Sequence, residues 1–447
     1  MLARAGSAGG CANVSAAHRS SSGSGNPDTG SWRFGADADV HEEEPERMHR
    51  RNHEFSRRSV LYAAGAAIAL AAVAPPTPAG TIIRGRSRDL GAGERADLAE
   101  QAIVARHVRS LWGLPQRRLG ALVWPADLAE RAFGRWCYWW QAHLLDCAVD
   151  ATHRAPTPDR VDRVVALARG IRTRNVTGWT NRYYDDMAWL ALTLERADRL
   201  LDIRFDDAIG DLRGALNDGW NPDVGAVPWR SGDDFYNTAA IGPTGLAMAR
   251  LGDMSRAGEL ADFLNTRLRD TDSGLIHDGV HEPGGQVDRT VHTYCQGVTI
   301  GLETELALRT GESGHRDRAA ALVTAVEHRL TDTGVIAASA GNDSGLFMGI
   351  LARYLAETAL ALGNTTAANI VHASAQAAWA HRAEVDGLPL FGTDWNRPVV
   401  VPDHPGVFLQ LADTSASSSA NLSRDLSVQL SGWMLLEADY RLTAAGR

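Results

Sequence analysis

From about residue 94 onward, apolar positions recur at intervals of three and four, and clusters of Gly, Pro, Asp and Asn interrupt them. This spacing predicts helices over 94–113, 126–151, 158–173, 182–201, 204–217, 235–252, 254–270, 289–311, 314–330, 343–361, 364–383 and 424–442. Convincing strand alternation is absent. Twelve helices in one series, without a linker-like break, imply six helical hairpins in a single domain over 90–445. The odd-numbered helices read as plain amphipathic cover. The unusual residues belong to the even ones: "WCYWWQAHLLD", "NRYYDDMAW", "WNPDVGAVPWRSGDDFYN", "DRTVHTYCQG", "GNDSGLFMG", and "FGTDW" with "RDLSVQLSGW". Such alternation favours an all-α fold, an (α/α)6 barrel with six inner and six outer helices, over an open α-solenoid. The inner helices then send their N-terminal ends to one face, where aromatic and polar loops line a groove.

The first 80 residues do not share this pattern. Residues 1–47 are rich in Gly, Ser and acidic residues without an apolar period, which predicts a disordered extension, one that is not translated if synthesis starts at Met48. Arg57 and Arg58 then precede a short apolar run, Val60 to Val73. The run is shorter than the roughly 20 residues a membrane span needs, and 48–80 resembles a twin-arginine export signal. The expectation is an exported protein of the cell envelope or surroundings. An uncleaved N-terminal anchor is the alternative, and it is the only membrane contact the sequence suggests.

Composition narrows the partners. The net charge of −9 carries no basic excess of the kind that nucleic acid requires. The chain has no lysine, and its 13 tryptophans concentrate in the motif segments. Aromatic rings mixed with Asn, Asp and Gln suit sugars, which offer a C–H face for stacking and hydroxyls for hydrogen bonds. Trp139 and Trp140 would point about 100° apart on a helix, so only one can face the groove. Beyond Cys11, the chain has Cys137, Cys147 and Cys295. The first two, on one predicted helix, would lie about 15 Å apart and cannot bond to each other, so buried free thiols are expected.

The adjacent Asp185 and Asp186 open the fourth helix. Successive carboxyls leaning toward one groove can lie close enough for paired acid chemistry. A helix N-terminus favours the ionised form of one, and its negative charge raises the pKa of the other. Capping alone also places Asp in first turns, and Asp233–Asp234 reads as such a pair.

"NRYYDDMAWLAL" resembles the signature of glycoside hydrolase family 76, the α-1,6-mannanases, and the likeness covers most of residues 126–440. "WWQAHLLD", "GAVPW", "TYCQGVTIG" and "FGTDW" resemble further segments of that family. The resemblance implies an (α/α)6 barrel and a retaining hydrolase, with Asp185 as nucleophile and Asp186 as general acid/base. It marks Trp140, Gln141, Tyr184, Trp189, Trp229, Asn237, Tyr294, Gln296, Asp394 and Trp395 as substrate-binding candidates. Met187, Leu190, Cys295 and Met348 depart from the family pattern, which bears on the sugar more than on the chemistry.

No cofactor or metal is implied. His277 and His281 sit in a Gly-rich loop rather than on a rigid helix, His292 reads as a groove-lining donor, and Asp343 as a helix cap at the edge of the groove. The expected function is endo-acting hydrolysis of an α-1,6-mannan-like polysaccharide or oligosaccharide by a monomer. Transglycosylation on the same fold, or a non-catalytic glycan-binding barrel, are the alternatives.

Overall fold

The structure, a computed structural model, describes residues 90–338, 344–401 and 423–447. The export segment and Asp343 lie outside the described residues. Among these, twelve helices of ten residues or more form: α1 (Ala92–Arg106), α2 (Tyr138–Arg154), α3 (Pro158–Arg174), α4 (Tyr184–Leu201), α5 (Asp206–Asp218), α6 (Thr238–Arg250), α7 (Met254–Phe263), α8 (Thr293–Thr310), α9 (Ser313–Arg329), α10 (Phe347–Leu362), α11 (Thr365–His381) and α12 (Leu426–Ala444). The even helices close a ring: α2 packs on α4, α4 on α6, α6 on α8, α8 on α10, α10 on α12, and α12 returns to α2. The odd helices cover them from outside. This is the expected (α/α)6 barrel.

Inner helices are buried around their whole circumference, as for α8, where all but one residue from Thr293 to Ala307 is buried. Close approach needs small residues at the crossings. A Cβ on Gly297 would meet the Leu351 Cα at 2.8 Å, and one on Gly349 the Ser431 Cα at 2.7 Å. The helix from Ser344 to Leu362 is apolar and long enough to cross a membrane, but it is an inner barrel helix and mostly buried.

The two ends of the barrel differ. Turns from inner to outer helices take two to four residues, and Gly311 and Gly363 end α8 and α10 in the left-handed conformation that glycine favours. Connections from outer to inner helices are longer, and most carry short strands. β1 (Val108–Ser110) pairs with β2 (Arg118–Gly120) before α2; β3 (Phe235–Asn237), β4 (Gly279–His281) and β5 (Gln286–Asp288) form one sheet before α6 and α8. The hairpins β6–β7 (Thr331–Asp332, Val335–Ile336) and β8–β9 (Ala383–Val385, Leu388–Leu390) precede α10 and α12.

Several predicted boundaries need correction, and the first two helices show why. The first helix ends at Arg106, not 113, because Leu111 and Leu119 bury themselves from a hairpin whose turn bends through left-handed Trp112 and Gly113. The second begins at Tyr138, not 126. Its apparent first turns are a separate helix, Leu128–Arg131, which Phe133 (φ 52°) ends. The thiol expectation holds for Cys147 and Cys295, both free and buried, and fails for Cys137, which is disulfide-bonded. Spacing excluded a bond between Cys137 and Cys147 but was silent on other partners.

Candidate active site

The N-terminal ends of the inner helices converge on a small, narrow cleft. Its walls are the second residues of four of them, Trp139, Asp185, Ala239 and Tyr294, with Phe347 opening α10; Trp189 and Ile350 complete the lining. One position repeated around the ring therefore builds the site. Rings stack within it, with Tyr294 and Phe347 centroids 4.5 Å apart. Behind Trp139 and Trp189, at 5.9 and 4.6 Å, lies His143, which burial and the nearby Arg353 and Arg196 hold neutral.

Asp185 is buried in the lining. One carboxylate oxygen accepts the Asp186 backbone N–H at 2.9 Å, and the other accepts the Trp229 indole N–H at 3.2 Å. Trp229 is itself fixed: its N–H donates to Phe235 O at 2.7 Å, and its carbonyl accepts from Tyr184 N at 3.0 Å. Burial raises the Asp185 pKa to about 6 despite these two hydrogen bonds, and the charge of Asp278 adds to the rise. Asp186 is half-buried and accepts the Asn181 amide at 2.7 Å. Burial and the neighbouring Asp185 charge push its pKa well above the ordinary carboxylate range. Among the described residues, no Arg or His forms an ion pair with either acid. The two carboxyls are therefore inequivalent, and Asp185 is the better stabilised as an anion.

Asp278 was not picked out in the sequence. It is buried, accepts the Tyr294 hydroxyl at 2.6 Å, and has its pKa raised by burial. Its only signal was a position just ahead of β4, inside the loop read for its histidines. Those histidines diverge: His281 stacks on Phe235 and bonds Asp234 at 3.0 Å, while His277 lies 3.9 Å from Asp270. His292 does reach the site, stacked on Tyr294 at 5.6 Å.

Of the expected residues, Asp185, Asp186, Trp189, Trp229 and Tyr294 are brought together. Trp139 rather than Trp140 lines the cleft; Trp140 is buried in the core. Tyr184 turns outward against Gly219, where an added Cβ would meet its ring at 2.2 Å, and Tyr183 takes the edge of Trp229 at 5.4 Å. Asn237 is an N-cap, accepting Ala240 N at 3.1 Å. Gln141 and Gln296 are spent on the backbone. Gln141 accepts Gly120 N at 2.8 Å and donates to Gly120 O at 2.9 Å; Gln296 does the same with Ile276, at 2.8 Å for both bonds. Gln429 clamps Phe391 likewise, and all three occupy the fourth position of an inner helix. Asp394 caps its own turn through Asn396 N at 2.9 Å, and Trp395 is wholly buried in the core.

Residues 98–429 match the family model for Glycosyl hydrolase family 76. Among solved structures, the α-1,6-mannanase GH76A of Salegentibacter sp. HEL1_6 aligns with a TM-score of 0.67 at 24% identity, over 78% of this chain and 99% of that one. An inactive variant of that mannanase, with two adjacent aspartates replaced by alanine and in complex with α-1,6-mannotetrose, gives 0.66 at 25% identity with the same coverage. The Lin0763 protein from Listeria innocua gives 0.68 at 24%, over 80% and 99%. No curated protein sequence matches the chain.

Proposed function

The chain belongs to glycosyl hydrolase family 76, and on that premise we propose that it is a retaining, endo-acting α-1,6-mannanase with Asp185 as nucleophile and Asp186 as general acid/base. The observation that carries this reading is the acid pair at the cleft, Asp185 buried and Asp186 half-buried, with no ion-paired cation against either member among the described residues. Above pH about 6 Asp185 is ionised, while Asp186, pushed higher, keeps its proton. Asp186 then protonates the glycosidic oxygen as the bond to C1 breaks, and an Asp185 oxygen bonds C1 to give a glycosyl-enzyme. Water next attacks C1, surrenders a proton to the Asp186 carboxylate, and frees Asp185. The Trp229 indole holds the nucleophile in one orientation throughout. That the mannanase of Salegentibacter is inactive with two adjacent aspartates replaced supports the assignment. The ring pairs near the acids, Trp229 with Tyr183 and Phe347 with His292, offer faces on which sugar rings can stack.

The test is wild type against Asp185→Asn on linear α-1,6-manno-oligosaccharides, with products followed by mass spectrometry and the new anomer by NMR. Wild type should give shorter oligosaccharides from internal cleavage with retained configuration, and the variant should lose at least about a thousandfold in rate. Inverted product would sink the nucleophile assignment, and longer products would replace hydrolysis with transglycosylation.

A further inference from the structure

We propose that the rim formed by the β1–β2 hairpin, the Leu128–Arg131 helix and the C-terminal end of α3 docks the protein onto an anionic lipid surface. Large apolar side chains stand out in water there: Trp112 is 52% exposed, Leu114 37%, Leu128 81% and, just past α3, Val176 94%. They belong to one surface. The Trp112 indole donates to Ala132 O at 2.8 Å, Arg174 to Phe133 O at 2.9 Å, and Arg117 to Thr173 Oγ1 at 3.0 Å. Trp112 and Phe133 adopt left-handed backbone there, a strain more usual at functional surfaces than in inert turns.

Charge is the second observation. Residues 108–124 and 164–184 contain no Asp or Glu, in a chain whose net charge is −9. Arg117, Arg118, Arg131, Arg169 and Arg174 lie on or beside the rim, and none forms an ion pair among the described residues, whereas Arg196, Arg250 and Arg353 inside the barrel each pair with at least two acids. The rim's acids, Asp127 and Glu130, are both engaged by Arg135 at 2.5 and 2.7 Å. Unpaired guanidinium groups around a protruding Trp and Leu match a membrane interface, where anionic headgroups lie above acyl chains that accept apolar tips. A partner that is only anionic would leave Leu128 and Val176 in water, and an apolar one would leave the arginines without counter-charge.

The hairpin leads into α2 and the Val176 loop into α4, so the rim adjoins the cleft. If the hydrolase reading holds, docking brings the cleft to glycans displayed on the membrane. The binding test uses no glycan, so its failure would leave that reading untouched.

The experiment is co-sedimentation of the full chain with phosphatidylglycerol or phosphatidylcholine vesicles. It compares wild type with Trp112→Ser/Leu114→Ser/Leu128→Ser and with Arg117→Gln/Arg118→Gln/Arg169→Gln. The apolar segment 60–73 is the same in all, so its contribution cancels. Wild type should favour phosphatidylglycerol at least tenfold, and each triple variant should lose at least tenfold on it. The single Leu128→Ser, at a side chain too exposed to disturb folding, should lose a few-fold. Equal binding to both lipids, or variants that sediment like wild type, would overturn the proposal.

Discussion

The two ends of the barrel bury carboxyl groups from the inner helices and reach opposite electrostatic outcomes. At the turn end, Arg196 and Arg353 each pair with both Asp146 and Asp150, and Arg250 joins Glu305 at 3.1 Å and Glu357 at 3.0 Å. These charges come from α2, α4, α6, α8 and α10, so the network ties the ring together below the cleft. Burial there would raise the acids, but the arginines win, and Asp150 and Glu357 fall to about 2. At the loop end, burial acts on Asp185 and Asp186 with no arginine to oppose it, and both rise. Depth inside the barrel is therefore not what separates the raised carboxyls from the lowered ones. The count of facing guanidinium groups is.

Removing a cation from the paired end should have the largest effect. Arg196→Met leaves Asp146 and Asp150 with one arginine between them, and stability should fall by about 3–5 kcal/mol in denaturant unfolding. A loss under about 1 kcal/mol would show that the network is not holding the ring.

Removing a charge from the unpaired end should act in the opposite direction. Asp186 has a raised pKa in the fold, so the native state gains by binding its proton below pH 3.8 and loses that gain as pH rises through the raised value. Asp186→Asn abolishes the loss, and should stabilise the protein at pH 7 by about 1 kcal/mol, allowing for partial solvent contact. The gain should vanish below pH 4. Asp150 runs the other way, with stability present above 3.8 and lost as pH falls through about 2. Melting curves at pH 3.5 and 7 separate the two, and a stabilisation that does not depend on pH would break the comparison.

Legibility in the sequence follows the same division. Helix periodicity reported the barrel because inner and outer helices obey one packing rule, whereas the Asp pair, which a capping pair such as Asp233–Asp234 mimics, stood out through the family resemblance of the segment around it. What misled was chemistry shared between sugar and peptide. The Gln141 and Gln296 amides offer a donor and an acceptor that suit a hydroxyl pair as well as a backbone N–H and C=O. Only their recurrence with Gln429 at the fourth position of three inner helices identifies them as clamps on the preceding loops. Trp139 and Trp140, or Tyr183 and Tyr184, differ by about 100° of helix or by lying on either side of its start, which composition cannot resolve. Asp278 was hidden because its role depends on a loop that the fold, not the local sequence, brings to Tyr294.

The smallest expected effect probes the unpaired end most finely. Asp185 has one side-chain donor that favours its anion, the Trp229 indole, beside the Asp186 backbone N–H, and one charge that opposes it, Asp278. Trp229→Phe keeps the ring face and deletes the donor, so the acid limb of kcat/KM should move above pH 6, with a loss of about tenfold that narrows as pH rises. Asp278→Asn deletes the opposing charge and should move the same limb below pH 6. Simple damage to the cleft would lower both variants alike without displacing the limb, whereas tuning of one carboxyl by its neighbours requires shifts of opposite sign. Two limbs that stay in place would mean that burial alone sets Asp185, and that the contrast with the arginine-rich end reduces to solvent exclusion.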